Sequence, residues 1–260
     1  MNIYLRLTEE FNRGRLRCIV SSGQAVVLHR LAIMSKDGDW IIREDAEATR
    51  HVLQILASHQ ARYRFGAPLE ERWLRGGWSA HFEFQEGSLR VRTDFVTRPP
   101  RISPAELAQL WREQENAPVP CVDVRRLADI KKTNREKDYA VIGELARQLT
   151  NPTDQFLYSR SAIDLQQLAA AHPDHLQSLR VQRPLLALIS QGRDQLEAAL
   201  DAERRALIHA NEVRLARYEE AAAHWAAAWP TLEATILDLD LPAAHERLYQ
   251  RAAALLPETL

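Results

Sequence analysis

The sequence predicts an α+β protein, a mixed β-sheet flanked by helices and followed by an all-helical region. Short runs with alternating apolar and polar residues fall between residues 15 and 96, as expected for strands that bury one face. Apolar residues at helical spacing, with capping signals, lie between and after those runs. Beyond Asn151-Pro152 strand signals stop, and the chain to Leu260 is rich in Ala, Leu, Arg and Glu. The expected domains are therefore residues 1–150, carrying the sheet, and residues 151–260, wholly helical.

Each element has its own signal. Residues 3–12 read as a helix closed by Gly14, and "RLRCIV" as a short strand. Gly23 to Leu31 reads as a helix with Ala25, Val26, Leu28 and Leu31 on its apolar side, followed by the strand "GDWII". Asp45 is placed to cap a helix carrying Val52, Leu53, Ile55 and Leu56. "HFEFQEGSLRVRTDFV" reads as a hairpin turning at Glu86-Gly87 and ended by Pro99-Pro100. "SPAELAQLWREQ" opens with a serine cap, a first-turn proline and Glu106 at capping-box spacing. "VDVRRLADIKKTNREKDYAVIGELARQL" reads as one or two helices with Leu127, Ile130, Ile142 and Leu145 in the core. Residues 193–228 read as one long helix or a helical hairpin.

Composition bounds the function. The 260 residues carry a net charge of -1, 46% hydrophobic and 27% charged residues. No bulk charge draws the chain to nucleic acid, so any basic surface is local. Cys18 and Cys121 form no CxxC pair and read as buried thiols of a reducing compartment. The start "MNIYLRLTEE" lacks the apolar core of a signal peptide, and no apolar run is long enough to span a bilayer. A cytoplasmic protein without a membrane role is expected.

The stretch "SSGQAVVLHRLAIMSKDGDWII" places two carboxylates, Asp37 and Asp39, inside an apolar run. On a strand they project to the same side, and two carboxylates so close repel unless a cation lies between them. Oxygen ligands of this kind suit Mg²⁺. A helix beginning at Gly23 presents free backbone N–H groups to a phosphate, and Ser22 adds a hydroxyl. In "LRVRTDFV", alternation puts Arg90, Arg92 and Asp94 on one face. Asp94 there serves as third ligand or general base, and Arg92 as a phosphate contact. Alone, Asp37-Gly38-Asp39 also reads as a turn and Asp94 as a solvated strand residue. Their combination in this order points to a metal site.

These residues resemble the nucleotidyltransferase superfamily, whose fold is shared with DNA polymerase β. Ser22-Gly23 matches its small pair on a strand-to-helix turn. The thirteen residues Gln24 to Lys36 separate that pair from Asp37 and Asp39, the paired ligands, and Asp94 matches the third. "SGQAVVLH" resembles a helix of the minimal and abortive-infection-toxin branches, with His29 where those often have His. "LADIKKTNREKD" resembles the helix that follows their sheet, with Lys131, Arg135 and Asp138 at i, i+4 and i+7 on one face. His29 and the lysines also read as packing and surface-charge residues. The sequence differs from the family pattern at Ser22, usually glycine, and at Gly38, usually a larger apolar residue.

The resemblance implies an Mg²⁺-dependent nucleotidyltransferase with two metal ions, an NTP such as ATP as substrate, and a hydroxyl acceptor. Catalysis and metal binding fall to Asp37, Asp39 and Asp94, and nucleotide binding to Ser22, Gly23, Lys36, Arg92, Lys131 and Arg135. Acceptors in the superfamily include tRNA ends, protein side chains and aminoglycosides, and a tRNA-modifying toxin of a toxin–antitoxin pair is one version. The alternative is a catalytically silent interaction or regulatory module. Its C-terminal helices would pair with a second copy or a partner protein. A purely helical structural protein is the third reading, and the hairpin argues against it.

Overall fold

The computed structural model describes residues 2–260. By its internal contacts the chain divides into two compact units, one running up to Val122 and resuming over Ala216–Leu260, the other Asp123–Leu215. This is not the division expected near residue 150. The change in composition there marks no change of core. The helix before residue 150 packs on the helix after it, and the last helix of the chain packs against the sheet-bearing unit from which sequence alone separated it.

The first unit holds the sheet. Helix α1 (Ile3–Phe11) leads into β1 (Cys18–Ser21), α2 (Ser22–Leu28), β2 (Asp37–Ile42) and α3 (Ala46–Ser58). Then come β3 (Arg62–Tyr63), α4 (Glu71–Arg75), β4 (Ala80–Glu86), β5 (Leu89–Val96) and α5 (Pro104–Gln114). The strand order is β1-β2-β5-β4-β3. Strands β2 and β5 run parallel, and the other neighbouring pairs are antiparallel, which makes the sheet mixed, as expected. The anticipated hairpin is β4–β5, and Asp45 caps α3 by accepting from Ala48 N at 2.8 Å. Ser103 and Glu106 complete the capping box of α5. Helix α2 is shorter than expected, because the chain turns at His29 and Arg30, and Arg30 has φ 62°. The short β3 and α4 carried no separate sequence signal.

One face of the sheet is the core. Trp40 stacks on Phe95 with ring centroids 5.5 Å apart, and Phe11 meets Trp40 edge-on at 5.3 Å. Offset and edge-on aromatic pairs add to the hydrophobic gain of burying the rings. Trp40 Nε1 donates to Thr8 Oγ1 of α1 at 2.9 Å, so its one polar atom is satisfied. Gly38 belongs to this face. A Cβ there would lie 2.4 Å from the Trp40 ring and 2.5 Å from Tyr4. The aromatic packing fills the space that a larger residue would need. Cys18 is buried, whereas Cys121 is only half-buried, beside a single bridge to Val20.

The second unit is helical, with α6 (Val124–Ile130), α7 (Glu136–Gln148), α8 (Pro152–Tyr158), α9 (Ala162–Ala171) and α10 (Pro173–Leu179). A 3-10 turn over Pro184–Gln191 leads into α11 (Arg193–Ala221), within which the unit boundary falls. Phe156, Leu165, Leu186 and Leu196 anchor its core. The first unit resumes with α12 (Ala223–Ile236) and α13 (Leu241–Leu255). Pro230 lies inside α12. No helix among the described residues is long and apolar enough to cross a membrane.

Candidate functional site

The site is built on the sheet face opposite the aromatic core. Alternation in β2 turns Gly38, Trp40 and Ile42 inward and leaves Asp37 and Asp39 on the other side, half-buried. Alternation in β5 does the same for Arg92 and Asp94, with Val91, Thr93 and Phe95 inward. The parallel register pairs Asp37 with Arg92 and Asp39 with Asp94. Neighbouring strands lie about 4.8 Å apart, so Asp39 and Asp94 are direct neighbours on this face. On the other flank of β5, His81 of β4 pairs with Asp94 and Glu83 with Arg92. One face thus carries two rows of charged and titratable groups across three strands, Asp37–Arg92–Glu83 and Asp39–Asp94–His81.

The turn from β1 into α2 borders Asp39, which pairs with Ser21 in the sheet. Ser22 adopts φ 47°, a left-handed conformation that costs a residue with a side chain energy and that clusters at functional turns. Gly23 follows. A Cβ there would lie 2.2 Å from Ser35 Oγ and 3.9 Å from Asp39 Oδ2, so the turn comes close to both the 29–36 loop and the carboxylate. Buried Gln24 ties the loop down, its Nε2 donating to Ser35 O at 3.2 Å and Asp37 O at 3.3 Å. The Tyr4 hydroxyl donates to Lys36 O at 2.6 Å. Burial, joined by the charges of Asp37 and Asp39, pushes the Tyr4 phenol above its ordinary value.

The carboxylates lie against cations. Asp94 Oδ1 accepts from His81 Nδ1 at 2.7 Å and from Arg64 Nη1 at 3.3 Å. Asp37 Oδ1 faces Arg92 Nη1 at 3.5 Å. Among the described residues, no three His, Cys, Asp or Glu side chains converge as a ready metal cage. Lys36 is exposed and, with Arg92, Arg90 and Arg6, lines a cavity of about 680 Å³ next to Asp37.

Five of the sequence-predicted site residues, Asp37, Asp39, Asp94, Lys36 and Arg92, therefore cluster around β2 and β5, with Ser22 and Gly23 at the adjoining turn. His29 has a structural part, its Nε2 lying 2.8 Å from Val122 O. Lys131 and Arg135 lie in the second unit, where the expected single helix breaks. Helix α6 ends at Ile130 and α7 starts at Glu136. The i, i+4, i+7 reading is thus corrected, because Lys131 caps one helix and Arg135 precedes the next. Both still meet Asp138, Lys131 Nζ at 3.5 Å and Arg135 Nη2 at 2.9 Å. Lys131 is 5% exposed and Asp138 3%, so this is a buried ion pair closing the corner between two helices.

Sequence reasoning missed His81, Arg64, Glu83 and Gln24. The signal for two of them was present. Counting back from the Glu86-Gly87 turn puts His81 opposite Asp94 and Glu83 opposite Arg92, as the register has it. Arg64 had no such signal, because it follows a two-residue strand.

No family model matches the chain, and no curated protein matches it. Among solved structures, the chain is similar to the crystal structure of a "putative nucleotidyltransferase from H. pylori", at 12% identity and a TM-score of 0.40, over 81% of this chain and 94% of that one.

Proposed function

We propose that the chain is an Mg²⁺-dependent nucleotidyltransferase, which moves a nucleoside monophosphate from an NTP to a hydroxyl and releases pyrophosphate. The observation that carries this reading is the in-register pairing of Asp39 with Asp94, with Asp37 and Arg92 paired two residues earlier on the same face. An all-oxygen set of three carboxylates fits Mg²⁺. Gly23 brings the turn backbone close to Ser35 and to the Asp39 carboxylate, where a side chain would collide with Ser35 Oγ. Bound there, the metal would neutralise the leaving pyrophosphate and lower the pKa of the acceptor hydroxyl.

The chain's own residues divide the work. Asp37, Asp39 and Asp94 would hold the ions, and Asp94 is also engaged through Oδ1 by His81 and Arg64. Arg92 and Lys36 bind phosphate oxygens, and the long 3.5 Å contact of Arg92 to Asp37 is readily exchanged for one. The Ser22-Gly23 backbone approaches the β- and γ-phosphates. Lys131 and Arg135 belong to the second unit, where both pair with Asp138.

The test is incubation of the chain with Mg²⁺, labelled NTPs and total cellular RNA and protein, beside Asp39→Ala. Label transfer that disappears in the variant is expected, and transfer that survives overturns the mechanism. The same incubation sorts the acceptor among RNA ends such as tRNA, protein hydroxyls and small molecules. Labelled tRNA would favour a toxin.

A second reading, a silent interaction or regulatory module, is favoured by the carboxylate–cation contacts and by the missing three-ligand cage among the described residues. On that reading no Mg²⁺–NTP pair raises the melting temperature.

A further inference from the structure

The carboxylate of Asp94 is the end of a chain of side chains that the transfer reaction described above does not use. Its Oδ1 meets His81 Nδ1 at 2.7 Å, and His81 Nε2 meets Ser79 Oγ at 2.7 Å. A carboxylate only accepts, so Nδ1 carries the proton, and Nε2 is the acceptor for the serine hydroxyl. This is the order of groups that turns a serine into a nucleophile: hydroxyl, imidazole base, orienting carboxylate.

The arrangement is held from behind. The backbone of the segment after β3 pairs along Ser79–His81, with Arg64 N donating to His81 O at 2.9 Å and Ala67 N to Ser79 O at 2.9 Å. Gly66 lies flat against the imidazole, and a Cβ there would be 2.5 Å from His81 Cδ2. Trp225 Nε1 in turn donates to Gly66 O at 3.1 Å. The ring therefore has one well-defined position, while Ser79 itself is half-buried rather than sealed in the core.

We propose that Ser79 is a nucleotide acceptor within the chain, activated by His81 and Asp94. The inference rests on the nucleotidyl-transfer reading. Ser79 immediately precedes β4 and is separated from the Asp94 carboxylate by one imidazole ring and two hydrogen bonds, and Asp94 is the register partner of Asp39. In the step, Ser79 Oγ forms a bond to the α-phosphorus and the bond from that phosphorus to the β-bridging oxygen breaks. The hydroxyl proton passes to His81 Nε2, Asp94 balances the imidazolium, and pyrophosphate leaves. The product is a phosphodiester of Ser79 with a nucleoside.

The experiment is mass spectrometry of the full chain after incubation with Mg²⁺ and each NTP, with peptide mapping, on wild type, Ser79→Ala, His81→Gln and Asp39→Ala. Melting temperatures check that each variant is folded. One nucleotidyl adduct on Ser79 is expected. It should be absent in Ser79→Ala and Asp39→Ala, and about 100-fold slower in His81→Gln, the scale of a general base. If Ser79→Ala melts early, Ser79→Cys keeps a nucleophile of similar shape and should carry the adduct on sulfur. Label on added RNA or protein with Ser79 unmodified, or an adduct on another residue, overturns this inference and leaves nucleotidyl transfer standing. No adduct, no label on any acceptor and no stabilisation by Mg²⁺–NTP overturns both.

Discussion

Asp39 and Asp94 come from segments more than fifty residues apart in sequence, yet their Cα atoms are register partners on adjacent parallel strands. Each is half-buried, and each side chain lies on the face away from the Trp40–Phe95 stack. Two acids side by side are an electrostatic cost that a bound cation relieves, and this relation ties the fold to the proposed chemistry.

Asp39→Asn and Asp94→Asn should each lower nucleotidyl transfer by about 100-fold or more, since losing even an outer partner of a metal ligand costs about 10–100-fold. Neither side chain is in the core, so the melting temperature should stay close to that of wild type. Rate and melting curve measured on the same preparations check this. A variant that transfers at the wild-type rate would remove its aspartate from the site.

Gly38→Val should destabilise the first unit by about 1–3 kcal/mol, the usual range for overpacking. The new Cβ would fall 2.4 Å from Trp40 and 2.5 Å from Tyr4, both ring atoms of packed side chains. Urea unfolding followed by tryptophan fluorescence measures it. An unchanged midpoint would mean that the strand and rings shift to make room.

Asp138→Asn should cost about 3–5 kcal/mol, because it removes the carboxylate charge that faces the buried Lys131 ammonium at 3.5 Å. The paired replacement Lys131→Met with Asp138→Leu should cost clearly less, since no charge is then stranded. Chemical denaturation of the two variants and of wild type gives the comparison. Equal losses would show that Asp138 acts mainly through Thr133 Oγ1 and Arg135, which it also bonds.

Stability should depend on pH through His245. Burial lowers its pKa, partly opposed by Glu246. Its Nδ1 lies 2.7 Å from the Tyr63 hydroxyl, which also accepts from Leu69 N. Burial holds the Tyr63 phenol well above its ordinary value, so it donates and the imidazole accepts. With a folded value below the unfolded value of about 6.5, the unfolded chain binds the proton first. The stabilisation is therefore complete above about pH 6.5 and is lost as pH falls through the folded value. His245→Gln should flatten this limb of the melting-temperature profile, and an unchanged profile would assign the limb to other groups.

Much of the fold was legible because its signals are local. Caps at Asp45 and Ser103, the turn at Glu86-Gly87 and strict alternation in "LRVRTDFV" each depend on residues within a few positions of one another. Strand β3 and helix α4 were not legible, because two and five residues are too few to show a period. The helix break between Ile130 and Glu136 escaped because it contains no Gly or Pro and is held by Lys131, Arg135 and Thr133 converging on Asp138.

By itself the sequence determined which faces of β2 and β5 are acidic and which apolar, since a period of two assigns every side chain once a strand exists. It also singled out Asp37, Asp39, Asp94, Ser22 and Gly23. Only the tertiary structure decided that β2 lies parallel to β5 with Asp39 beside Asp94, that Gly38 makes way for Trp40 and Tyr4, and that Asp94 leads through His81 to Ser79. It also decided that the chain divides at residues 122 and 215. Register between distant strands and the closing of a core by a late helix depend on packing between segments far apart in sequence, which no local pattern encodes.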